Sequence, residues 1–209
     1  MGRRRATTTI NRQLAHERFD YANLIAVLDL ATDEDWSAGI TWYARAHEEA
    51  VSLSETYGCT ILQACGIIAA LSPQNGWDNN LAAAALFLQD PTRDVHFHDA
   101  CEKARAILAG ADPLHALRGS KVRSFYRNIA EPLRPGPVTI DRHAVAILFG
   151  TDTPTFLRLH PKLLERAHVY RLATAFYRRA AREHGLLPHE VQAIAWLVQS
   201  NRSSALPTF

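Results

Sequence analysis

Thr60-Ile61-Leu62-Gln63-Ala64-Cys65-Gly66-Ile67-Ile68-Ala69-Ala70-Leu71-Ser72-Pro73-Gln74-Asn75-Gly76-Trp77-Asp78-Asn79-Asn80 is the stretch that decides the fold class. Residues 61–71 are apolar on all sides except at Gln63, and the run is too long for an ordinary buried strand. Thr60 and Gln63 stand three apart, the spacing of a capping box that satisfies two orphan donors at a helix start. Ser72-Pro73 stops the helix, because the proline ring disfavours helical backbone before it. A second, alanine-rich helix is expected from Asp78 to Gln89, closed by Asp90-Pro91. Two helices joined by a polar turn predict an all-α chain.

The same periodicity runs outward in both directions. Upstream, residues from about Asn11 to Leu30 read as one helix, with Leu14, Phe19, Leu24 and Leu28 on one face. Asp33 or Glu34 to Tyr57 reads as another, stopped by Gly58. Downstream, Asp99 to Leu108 is followed by Asp112-Pro113, a helix start with proline at its first position. A short helix to Leu117, a break at Gly119 and a helix from Lys121 to Ala130 come next. Pro132, Pro135, Gly136 and Pro137 mark a linker. Val138-Thr139-Ile140 reads as a brief extended piece, and Asp141 is placed to cap a helix through Phe149. Pro161 to His184 and Pro188 to Gln199 are the last helices predicted.

Composition narrows the class. The chain has 209 residues, 47% hydrophobic and 21% charged, which is ordinary for a globular protein that buries its own core. Its 3 cysteines, Cys59, Cys65 and Cys101, argue against a disulfide scaffold and are too few for a four-thiolate metal or iron–sulfur site. No run approaches the roughly 20 apolar residues of a membrane span. The basic start, Arg3 to Arg5, lacks the apolar stretch of a signal peptide, and Ala6 stands where a myristoylation signal has Ser or Thr. A cytoplasmic, nucleoid-associated protein is expected. His96-x-His98-Asp99 lacks distant partners, so no metal site is expected.

Charge is unevenly placed. Residues 1–100 hold 7 Lys/Arg and 13 Asp/Glu, a net of −6, and residues 101–209 hold 16 and 8, a net of +8. A basic half is what a phosphate-binding surface needs, although a solvated surface would look the same. Arg123, Arg127, Arg142, Arg178, Arg179 and Arg182 are candidate phosphate contacts.

Three segments combine chemistry with punctuation. The turn Leu71-Ser72-Pro73-Gln74-Asn75-Gly76 projects polar side chains between two apolar helices. Leu117-Arg118-Gly119-Ser120-Lys121 breaks one helix at a glycine, which lets a backbone approach another surface, and opens the next with the free N–H groups that bind phosphate. Lys121, at that helix start, is a candidate amine nucleophile or phosphate contact. Val138-Thr139-Ile140-Asp141-Arg142-His143 delivers a carboxylate to a helix N-terminus, where it can stabilise a sugar cation or position a water. It can equally be a plain cap.

In order and spacing these segments resemble the helix–hairpin–helix DNA glycosylases, the endonuclease III-like superfamily. That family carries a Gly-x-Lys hairpin, here Gly119-Ser120-Lys121, and a Val-Asp-x-His segment, here Ile140-Asp141-Arg142-His143, 20 positions on. Upstream it has a Leu-Ser-x-Gln turn, here Leu71-Ser72-Pro73-Gln74. The resemblance implies two helical lobes with a cleft between them, one from residues 1–57 and 136–209, the other from 58–135. It implies a monomer that flips a base out of double-stranded DNA and cleaves its N-glycosidic bond. Asp141 would be the catalytic carboxylate, and Lys121 the amine of the bifunctional members. Gly119 and Ser120, with Arg118, Arg123 and Arg142, would hold the DNA backbone. Gln74, with Asn75, would fill the gap left by the flipped base. His143 would hold the Asp141 segment, and it is also a candidate pocket residue together with Trp77, Gln192 and Trp196, whose ordinary role is core packing; Trp36 and Trp42 are expected in the core. No cofactor is implied beyond a structural monovalent cation at the hairpin. The hairpin departs from the family's Pro-Gly-x-Gly-x-Lys form, with one glycine and no proline, and the iron–sulfur ligands are missing. A relative that binds DNA without excision, in a phage or mobile-element base-modification pathway, is the alternative.

Overall fold

The computed structural model describes residues 18–160, 163 and 166–205. The protein is all-α, and no strand occurs among the described residues. The helices are α1 (Tyr21–Leu28), α2 (Asp33–Tyr57), α3 (Ile61–Leu71), α4 (Trp77–Gln89), α5 (His98–Leu108), α6 (Pro113–Ala116), α7 (Ser120–Ala130), α8 (Arg142–Leu148), α9 (Thr153–Leu159), α10 (Ala167–His184) and α11 (Pro188–Ala205).

Local chemistry sets most boundaries. Thr60 accepts from the Gln63 amide at 3.2 Å while the Gln63 side chain accepts from the Thr60 amide at 2.9 Å, the reciprocal box the spacing predicts. Asp112 accepts from the amides of Leu114 and His115, and Pro113 opens α6. Asp152 caps α9 through Thr155 at 2.8 Å. This helix is absent from the sequence reading, although Asp152-Thr153-Pro154 has the residues of a helix start.

Other boundaries differ from expectation. Within the stretch read as one helix from Asn11 to Leu30, the helix is interrupted at Phe19 and Asp20: Arg18 is helical, and Asp20 turns extended and caps the helix from Tyr21 through the Ala22 amide; Asn11 and Leu14 lie outside the described residues, as do Arg3 to Arg5. α10 starts at Ala167 rather than Pro161, and α11 continues past Gln199 to Ala205. The 138–140 piece pairs with no strand. Trp36, Trp42, Trp77 and Trp196 are each half-buried.

The chain divides into two compact units. A split unit comprises the residues up to Trp42 and from Ile140 onward, and a continuous unit comprises Tyr43–Thr139. The division falls inside α2, not at residues 57/58, and at 139/140, not 135/136. The cause is packing: Tyr43 meets Phe125 edge to face at 6.3 Å, and His47 Nδ1 hydrogen-bonds the Ile129 carbonyl at 2.8 Å, so the C-terminal part of α2 belongs to the continuous unit. That unit's core is built on α3, in which every residue from Ala64 to Leu71 is buried. The split unit is built on α8, buried from Ala144 to Leu148. There the N-terminal part of α2 crosses α11 at Gly39, where a Cβ would stand 2.7 Å from the Ile194 amide nitrogen.

Candidate functional site

In the continuous unit, the turn after α3 presents Gln74. Its φ of +58° makes it the one non-glycine residue with a positive φ among the described residues, a left-handed backbone that L side chains disfavour. The turn is held from below: the Asn75 amide donates to Ser72 O at 3.3 Å, and His96 Nε2 donates to Pro73 O at 2.7 Å. Gln74 itself is exposed and Asn75 half-buried. His96 therefore braces the turn, and His98 pairs with Asp94 at 2.7 Å. Among the described residues no cluster of three metal-ligating side chains exists.

The break between α6 and α7 lies in the same unit. Leu117 is fully buried and anchors the turn, and Gly119 follows with φ +82° and open space around its Cβ direction. Arg123 reaches back to donate from Nε to Leu117 O at 2.9 Å. It thus holds the turn, a structural task the sequence reading did not assign it. Arg118 and Arg127 are exposed, and residues 113–130 contain no Asp or Glu.

An aromatic cluster joins these two segments. Lys121 Nζ lies over the Phe125 ring, 5.8 Å from its centroid, one helical turn on. Trp77, the first residue after the Gln74 turn, meets Phe125 edge-on at 6.5 Å. Two of the three motifs are thereby brought together inside one unit. Lys121 is half-buried with its amine at an aromatic face.

The third motif opens the split unit. Ile140 N donates to Tyr170 Oη at 3.4 Å, and Asp141 then turns extended (φ −109°, ψ −170°) as the N-cap of α8. One Asp141 oxygen accepts from the Ala144 amide at 2.9 Å. The carbonyl of Ala144 in turn accepts from Tyr177 Oη at 3.2 Å. Tyr177 is fully buried; burial, and after it the negative charge of Asp141, pushes its phenol well above the usual tyrosine range. It therefore stays a neutral donor. His143 Nδ1 pairs with Thr153 Oγ1 at 2.9 Å, and Arg142 Nε approaches His143 Nε2 at 3.4 Å. His143 fastens the first turn of α8 to α9.

Gln192 and Trp196 share a face of α11, and Trp196 meets Trp42 edge-on at 6.3 Å. His189, 1% exposed, and Gln199, 7% exposed, extend that line with spacings of three, four and three residues. Sequence reading missed His189 and Gln199, and also Tyr170 and Tyr177. The signal for the first pair is polar side chains at core spacing in an apolar helix. For the tyrosines nothing in the sequence says that they bond the backbone on either side of Asp141.

A family model matches residues 7–203. The chain belongs to the family of unknown function DUF7178. The match spans both units of the DUF7178 fold and all three motifs. No curated protein and no solved structure matches the chain. Among the described residues, no helix is long and apolar enough to cross a membrane. Membership in DUF7178 assigns no activity, so the chemistry rests on the residues.

Proposed function

We propose that the protein is a DNA glycosylase-like enzyme: a monomer that takes a modified or damaged base out of double-stranded DNA and hydrolyses its N-glycosidic bond. The observation that carries this proposal is the mounting of Asp141. Ala144 holds one carboxylate oxygen at 2.9 Å, and a buried tyrosine holds Ala144. The second oxygen is left to face a substrate with its direction fixed. As the C1′–N bond breaks, its electrons leave with the base and positive charge grows on the sugar. A fixed carboxylate stabilises that charge and orients the water whose oxygen bonds to C1′; the water's proton passes to the released base or to solvent. The Gln74 turn fills the vacated stack, and Arg118, Arg127 and Arg142, all exposed, take phosphates.

The test is base release from duplexes carrying oxidised, alkylated, deaminated or hypermodified bases, comparing the wild type with Asp141→Asn. Asparagine caps helices as well as aspartate does, so this variant keeps the Ala144 bond and removes only the charge. Excision falls by about a hundredfold or more while DNA binding persists. Wild-type release rates in the variant would sink the mechanism.

One observation favours a second reading, DNA binding without excision in a base-modification pathway. Asp141 also serves as an ordinary N-cap, a task that needs no catalysis. Duplex binding with no base released across the whole panel decides for it.

A further inference from the structure

We infer that α10 carries a second DNA-backbone surface, an arginine ladder in the same unit as Asp141, and this inference rests on the proposed action on duplex DNA. Helix α10 shows two lines of residues. Tyr170 and Tyr177, seven apart, are the line that meets the Asp141 segment: one accepts from Ile140 N, the other donates to Ala144 O. Each tyrosine is followed directly by an arginine. Arg171 and Arg178 therefore form a parallel line about 100° around the helix, and Arg182, four residues on from Arg178, continues it. All three arginines are exposed.

Three features mark this line as more than a solvated face. No Asp or Glu occurs between residues 166 and 182. The nearest described acid, Glu183, lies on another side of the helix, paired with Arg179 at 2.8 Å and with the Tyr21 hydroxyl. Arg179 is further held over the Tyr21 ring at 3.9 Å. One arginine of the helix, Arg179, thus has an acid and an aromatic partner. Between its first two rungs sits exposed Ala175, a side chain too small to keep a phosphate backbone away.

Seven and four residues of helix rise about 10.5 Å and 6 Å, so the three arginines span about 16.5 Å of one face. The ladder neutralises up to three phosphates of one strand and registers that strand against the unit that holds the carboxylate. Phosphate contacts of this kind position without reading sequence.

The experiment is a salt titration of binding to a duplex carrying one tetrahydrofuran abasic analogue, followed by fluorescence anisotropy. The triple variant Arg171→Gln, Arg178→Gln, Arg182→Gln is compared with a charge-matched control, Arg45→Gln, Arg93→Gln, Arg158→Gln. The ladder variant loses affinity on the order of a hundredfold at 0.1 M salt, and the slope of log K against log salt falls by about 2 to 3. The control moves the slope by less than one. Matching thermal unfolding of the two triples shows that the fold is intact. If the wild type binds the duplex and the ladder variant tracks the control, the ladder is refuted while the proposed function stands. If the wild type binds no duplex, both fall. Loss of binding to phosphatidylserine vesicles with DNA binding unchanged assigns the ladder to a membrane surface and overturns the proposal.

Discussion

Gln74 and Lys121 show how a single residue can be legible in type and illegible in state. Gln74 follows from its motif, but no sequence rule puts a glutamine at φ +58°. A non-glycine side chain there costs about 1 kcal/mol or more, so a glycine would relieve the strain. Gln74→Gly therefore leaves stability unchanged or raises it by up to about 1 kcal/mol, allowing for the freer unfolded chain. Base release from a duplex falls all the same, since the side chain that fills the stack is gone. Thermal unfolding and release rates measured side by side check this; a variant that is weaker in stability and normal in activity contradicts it. Lys121 is also a motif residue, and its helix-start position and the glycosylase resemblance both make it a candidate nucleophile. Its amine lies over the Phe125 ring, a contact that reaching for a sugar carbon would forfeit. Borohydride treatment of the wild type with cleavable duplex is expected to trap no covalent complex. Lys121→Ala weakens binding several-fold and leaves release largely intact. A trapped complex that disappears in Lys121→Ala would restore the nucleophile.

At the scale of elements, caps were readable and crossings were not. Thr60 with Gln63, Asp112 with Pro113, and Asp141 all announce helix starts through short-range chemistry, and all act as caps. Arg123 looked like a phosphate contact because nothing in its neighbourhood says that its guanidinium folds back onto Leu117 O. The α2–α11 crossing was equally silent, because it joins residues more than 150 positions apart. Gly39 sits in a helix where alanine is intrinsically preferred, yet an added Cβ meets Ile194 Cγ1 at 2.4 Å and its backbone at 2.7 and 2.8 Å. Backbone cannot rotate away as a side chain can, so the two helices must separate. Gly39→Ala is expected to destabilise the protein by about 2 kcal/mol or more despite the better helix propensity. Gly58→Ala is the useful comparison, since it suffers only from its φ of +69° and has open space around it. Chemical denaturation of both variants decides; equal losses would mean that the crossing tolerates a methyl group.

The whole molecule divides where the sequence shows no seam. α2 runs for 25 residues without a proline or a charge block to mark position 42, and its periodicity continues across it. Only long-range partners reveal the change of allegiance. Gly39 is buried against Ile194 of the split unit, while Tyr43 meets Phe125 and His47 meets Ile129 of the continuous unit. Gly39, Tyr43, Ala46 and Ala50 are all buried, at steps of four, three and four, so one stripe of one helix packs into both cores. A domain boundary normally falls in an exposed linker that opens cheaply. Here it falls in buried, hydrogen-bonded helix, and opening it disturbs two cores at once. Native-state amide exchange should therefore find residues 39–50 among the slow amides, together with α3 of the continuous unit and α8 of the split unit. The fast internal amides belong instead to the 131–137 segment, where Leu133, Arg134 and Pro135 are exposed. Exchange at residues 40–46 as fast as at 131–137 would show that α2 behaves as a linker between the units and that its buried stripe does not hold either core.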